Sequence, residues 1–149
     1  MGNRYGCDDK YVAHYNCQKI NTPIRIDGNL EKSVWKNAEK SSRFVDMVDG
    51  TPGFLDTRCA ALWDNNYLYI GFWIQEPNVT AHFKNRDDRV YLENDVEIFI
   101  AGKDCYYEFQ INALGTIYEV FYIWQDAYTK ESRFNTKEFD LIQRNVDVI

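Results

Sequence analysis

The chain reads as an all-β protein, an antiparallel β-sandwich carrying one short N-terminal helix. Two observations predict this. Apolar residues recur at every second position in Thr57–Asp64, Tyr67–Glu76, Asp95–Ile100, Tyr106–Asn112 and Thr116–Trp124, the period of a strand with one face inward. Turn-forming pairs such as Asp27-Gly28, Asn65-Asn66 and Leu114-Gly115 separate these runs, and no repeat or low-complexity tract interrupts them.

In chain order, residues 1–21 are polar and tyrosine-rich, predicting an N-terminal arm or an edge strand around Tyr11–Tyr15, with residues 22–149 forming one domain. Pro23–Ile26 reads as a short strand closed by the Asp27-Gly28 turn. Asn29 then suits the N-cap of a short helix with Leu30, Val34, Trp35 and Ala38 on one stripe, which makes Trp35 a core residue. Phe44–Val48 reads as a strand and Asp49-Gly-Thr-Pro-Gly as a loop. The clearest hairpin joins Thr57–Asp64 to Tyr67–Glu76 through Asn65-Asn66, since Asn tolerates the left-handed backbone of a tight turn. Both faces of its second arm are largely apolar, which predicts a central strand. Pro77–Asp88 is a polar loop containing the sequon Asn78-Val79-Thr80. Thr116–Trp124 is an aromatic strand, and charged residues follow it until the strand-like Asn145–Ile149.

With 149 residues, the chain is long enough to bury a core. Its net charge of −6 argues against nucleic acid or an anionic membrane surface as partner. No apolar run approaches the roughly 20 residues of a membrane span, and Met1–Cys17 lacks an apolar signal-peptide core, so the chain reads as soluble. Cys7, Cys17, Cys59 and Cys105 form no CxxC pair and have only His14 and His82 beside them, which argues against zinc. Four free thiols or a Cys7–Cys17 disulfide both fit.

The stretch Arg86–Asn112 concentrates the functional signal. As a hairpin it would bring Val96, Ile98 and Ile100 against Tyr107, Phe109 and Ile111 on one face. Its other face then carries Asp95, Glu97 and Phe99 beside Tyr106, Glu108, Gln110 and Asn112. Carboxylate, amide and flat apolar rings together suit a sugar, whose hydroxyls donate and accept and whose ring face stacks. Glu97, Gln110 and Asn112 are the hydrogen-bonding candidates. Tyr91 and Trp124 are the candidate platforms, and Trp73, between Phe72 and Ile74, is assigned to the core.

The motifs IDGNLEKSVW, ALWDNNYLYIGFWIQE, ENDVEIFI and YYEFQINALGTIYE, in this order from Ile24 to Trp124, resemble the family 9 carbohydrate-binding modules and their relatives. The resemblance implies a jelly-roll or DOMON-like sandwich without catalytic activity, working beside glycoside hydrolases. It further implies binding of glucan- or xylan-type sugars or their reducing ends between two tryptophans. Carried over by motif, the strand glutamate is Glu97 and an Arg-x-Asn pair falls at Gln110 and Asn112. The first tryptophan falls at Leu92, with Tyr91 beside it. The second lies in a segment beyond Ile149, so the chain resembles a member truncated at its C-terminus.

Three other readings stand beside this one. Asp87, Asp88 and Asp95, with Glu93, form an acidic group that suits a structural calcium. Asp95 and Glu97, roughly 6.6 Å apart along a strand, invite a glycoside hydrolase reading, although neighbours on one strand do not flank a glycosidic bond. A haem-binding DOMON-like domain would need Met47 and His82 as axial ligands.

Overall fold

A computed structural model describes residues 13–102, 105–124 and 139–142, with only the backbone described at 124 and 139–142. The architecture is all-β, as the sequence predicts: among the described residues there are two sheets, one short α-helix and one 3-10 turn. The chain divides into two compact units, Met1–Pro77 and Asn78–Ile149. No helix among the described residues is long and apolar enough to cross a membrane.

The first unit holds β1 (Gln18–Lys19), α1 (Ser33–Lys36), β2 (Thr57–Trp63) and β3 (Leu68–Ile74), with the strands in the order β1-β2-β3. β2 and β3 pair antiparallel from Thr57↔Ile74 to Trp63↔Leu68, and β1 pairs parallel to β2. Ile24, Trp35, Ala38, Ala60, Leu62 and Tyr69 make the core, with Leu30, Val34 and Trp73 packed against it. Trp35, 3% exposed, meets Trp73 edge to face at 6.3 Å, so both tryptophans take the core roles expected of them. Gly71 permits the approach: a Cβ there would lie 2.9 Å from a Leu30 methyl and 3.4 Å from the Trp35 ring.

Six local expectations are corrected in this unit. Residues 13–15 are not a strand, because the Tyr15 hydroxyl takes the Ala61 N–H and the chain pairs only from Gln18; Tyr11 lies outside the described residues. Pro23–Ile26 is not a strand either. Ile20 still donates to the Trp63 carbonyl, but Pro23 has no N–H to continue the ladder. The helix begins four residues after Asn29: the Asn29 side chain turns the chain by accepting the Glu31 N–H, and Lys32 occupies the N-cap position. Phe44–Val48 reduces to one bridge, Val45↔Pro52, because the Asp46 carboxylate accepts the Val48 and Asp49 N–H groups and curls the chain. The Asn65-Asn66 connection has no left-handed residue. Asp64 closes it by accepting the N–H groups of Asn66 and Tyr67, while its second oxygen takes the Tyr69 hydroxyl at 2.7 Å. β3 lies at the edge of the described sheet, and β2 is central.

The second unit holds the 3-10 turn Val90–Leu92, β4 (Asp95–Ala101), β5 (Cys105–Asn112), β6 (Ile117–Trp124) and β7 (Phe139–Ile142). The strands run in the order β4-β5-β6-β7, antiparallel throughout. β7 falls in the charged stretch where no strand was expected, and Asn145–Ile149 lies outside the described residues. Register pairs Val96 with Ile111, Ile98 with Phe109 and Ile100 with Tyr107, so the apolar lists meet as predicted.

Candidate functional site

The opposite face of this sheet gathers the polar residues in rows. Asp95 pairs with Asn112, Glu97 with Gln110 and then Tyr118, Phe99 with Glu108 and then Val120, and Ala101 with Tyr106 and then Tyr122. Strand alternation puts all of these side chains on one side. β6 therefore adds Tyr118 and Tyr122, which the sequence argument left out although the same every-second-position rule picks them out of Thr116–Trp124.

The rings form contacting pairs. Tyr106 stacks on Tyr122 at 4.5 Å with planes 13° apart, Phe99 tilts against Tyr106 at 6.2 Å, and Tyr91 meets Tyr118 edge-on at 5.4 Å. Tyr91 reaches the face from the 3-10 turn, is 45% exposed and stands beside the exposed Leu92. Burial raises the phenol pKa of Tyr106, Tyr118 and Tyr122, and nearby Glu108 adds to the effect, so all three remain O–H groups at neutral pH. The Trp124 side chain lies outside the described residues.

The carboxylates are under electrostatic pressure. Burial, followed by the charges of Glu97, Glu93 and Glu108, pushes Asp95 up to about 6. Glu97 is raised by burial and then by Glu108. Gln110, opposite Glu97, is 2% exposed and donates to Glu108 at 2.5 Å. Its carbonyl oxygen and one Asp95 oxygen are buried without a hydrogen-bond partner among the described residues. An unpaired buried acceptor costs about 1–3 kcal/mol.

Asn112 sits differently. It is 5% exposed, and its amide donates to the Phe83 carbonyl and to Glu93 while its oxygen accepts the N–H groups of Leu114 and Thr116. Glu93 in turn accepts the His82 and Phe83 N–H groups. Burial opposes the Glu93 charge, but these donors outweigh it and hold the carboxyl below its ordinary range. Asn112 thus braces the site floor and the loop beside it.

On the apolar side of the sheet, Glu119 is 1% exposed, is met by the Arg86 guanidinium and accepts the Tyr107 hydroxyl. Among the described residues no three His, Cys, Asp or Glu side chains, those of Asp87, Asp88 and Asp95 included, form a metal-holding group. Asp88 spends a carboxylate oxygen on the Lys84 and Asn85 N–H groups, and Asp87 holds a left-handed backbone at φ 64°. Met47 is 96% exposed in its loop, and His82 rests its ring against Glu93 at 3.6 Å. Cys17, Cys59 and Cys105 are free thiols, and Cys7 lies outside the described residues.

An all-β chain with a sheet face of carboxylates, a buried amide and tyrosine rings falls in the class of small β-sheet binding modules. Residues 26–139 match the family model described as carbohydrate family 9 binding domain-like, and the chain belongs to that family. Neither a curated protein nor a solved structure matches it.

Proposed function

We propose that the β4–β5–β6 face binds saccharides of glucan or xylan type, or their reducing ends, without cleaving them. The observation that carries this reading is the Gln110 carbonyl oxygen, buried and unpaired between Glu97 and the Tyr118 row. A sugar hydroxyl supplies the missing donor while a neighbouring hydroxyl accepts from a phenol. Tyr91, Tyr118 and Tyr122 offer flat apolar surface for the C–H face of the pyranose. Glu97, exposed on the edge strand of this sheet, closes the site with an acceptor pair for a diol. Asn112 supports the site through Glu93 and the β5–β6 turn.

Calorimetric titration with cellobiose, xylobiose, glucose and lactose tests the reading. Saturable heat is expected for at least one sugar, weakened at least about tenfold in Glu97→Ala by loss of a charge-assisted hydrogen bond. No heat from any of them would overturn it.

The raised Asp95 carboxyl favours a second reading, hydrolysis with Asp95 as the acid and Glu97 as the base. Both project from one strand and approach a bond from the same side, which favours binding. Reducing-sugar release from xylan or cellulose oligomers would establish hydrolysis instead.

A further inference from the structure

We propose that this face is built for a sugar carrying a free amine, a glucosamine-type saccharide, whose ammonium group sits among Asp95, Glu97, Glu108 and the Gln110 carbonyl oxygen; this rests on the carbohydrate-binding reading. The register of β4 and β5 puts the three carboxylates and the amide on one side of two adjacent strands. No Lys or Arg ion pair neutralises Asp95, Glu97 or Glu108 among the described residues, whereas Glu119 on the other side of the sheet has Arg86. Negative charge kept partly buried at Asp95 and Glu108 beside the exposed Glu97, without a counter-ion, is costly, and a bound cation relieves it.

Hydrogen-bond inventory points the same way. The Gln110 amide N–H₂ is turned onto Glu108, leaving its oxygen as an unpaired acceptor in a side chain 98% removed from solvent by its 2% exposure. With Asp95 Oδ2 also unpaired, the centre of the face offers acceptors in excess of donors. A hydroxyl both donates and accepts, so it uses such a site only in part. An ammonium group has three donors and no acceptor, and it matches the site fully. The electron-rich faces of Tyr91, Tyr118 and the stacked Tyr106–Tyr122 pair add cation–π attraction at the rim.

The test is calorimetric titration of the full chain, near neutral pH, with β-1,4-linked diglucosamine, its di-N-acetylated form and cellobiose. Diglucosamine is expected to bind at least about tenfold more tightly than cellobiose, as one added charge-assisted hydrogen bond gives. That advantage shrinks several-fold in about 0.5 M NaCl, where the Debye length falls to a few ångströms. The di-N-acetylated sugar, which has no ammonium, shows no advantage, and Glu108→Gln and Asp95→Asn each reduce the preference for the amine. Equal affinity for diglucosamine and cellobiose would overturn the amine assignment and leave carbohydrate binding standing. An amine preference unchanged in both variants would also overturn it, by placing the ammonium elsewhere. No binding of any of the three sugars would overturn the amine assignment, and it would overturn carbohydrate binding as well only if xylobiose, glucose and lactose also gave no heat.

Discussion

The Asn112 side-chain amide donates to the Glu93 carboxylate at 2.7 Å, and that carboxylate accepts the His82 N–H in turn. One buried residue at the end of β5 therefore holds both the 82–83 backbone and the β5–β6 turn. Asn112→Ala strands several buried groups and should cost about 3 kcal/mol in urea denaturation. Asn112→Asp sets a second carboxylate against Glu93 and should be more damaging at neutral than at acid pH. A loss below about 0.5 kcal/mol for the alanine variant, the level of an ordinary surface change, would contradict this bracing role.

Gln110 separates stability from binding. Its unpaired oxygen costs free energy in the unliganded chain, so Gln110→Met, similar in volume and without the orphan acceptor, should be neutral to about 1 kcal/mol more stable. The same change should remove sugar binding. Thermal melts and titration on one preparation check both, and a variant that is destabilised yet binds normally would show that the amide serves packing alone.

Asp95 sets a pH dependence. Its folded pKa of about 6 lies above the ordinary 3.8, so the folded chain holds a proton that the unfolded chain has already released between those values. Stability is therefore greatest below about 4 for this group and falls as the pH rises through 6. The loss is about 1–2 kcal/mol once solvent screening of a partly exposed group is allowed for. Asp95→Asn should abolish this slope and raise the melting temperature near pH 7 but not near pH 4. The charged and titratable neighbours on this face, Glu93, Glu97 and Glu108 with Tyr106, Tyr118 and Tyr122, remain in place in the variant.

Arg86→Ala leaves Glu119 charged and unmatched within the sheet's apolar side. The expected cost is about 3–5 kcal/mol, and Arg86→Ala/Glu119→Gln should recover part of it. Denaturant titration of the single and double variants measures the coupling, and purely additive losses would refute the pairing.

The register of β4 and β5 was legible because strand period alone sorts their side chains, and the apolar set forces the pairing. Trp35 was legible from its helical stripe. Short strands were not, because capping side chains overrode local propensity: Asp46 curled Phe44–Val48, and Asn29 made a turn ahead of the helix. Asn112 was legible as polar and sheet-facing, but its partners at Phe83 and Glu93 lie 29 and 19 residues away, beyond any local pattern. Glu119 was missed for the same reason. Its salt bridge to Arg86 spans the loop and two strands, and that pairing, with the Tyr107 hydroxyl, explains a carboxylate among Ile117, Phe121 and Ile123.

The most direct test of the central claim is a nuclear magnetic resonance titration that follows backbone amides and tyrosine ring signals as sugar is added. Binding at the β4–β5–β6 face predicts saturable shifts at Glu97, Glu108, Gln110, Tyr118 and Tyr122, with Trp35 and Tyr69 in the first unit's core unmoved. Saturable shifts confined to other parts of the chain, or none at all with any saccharide, would contradict it.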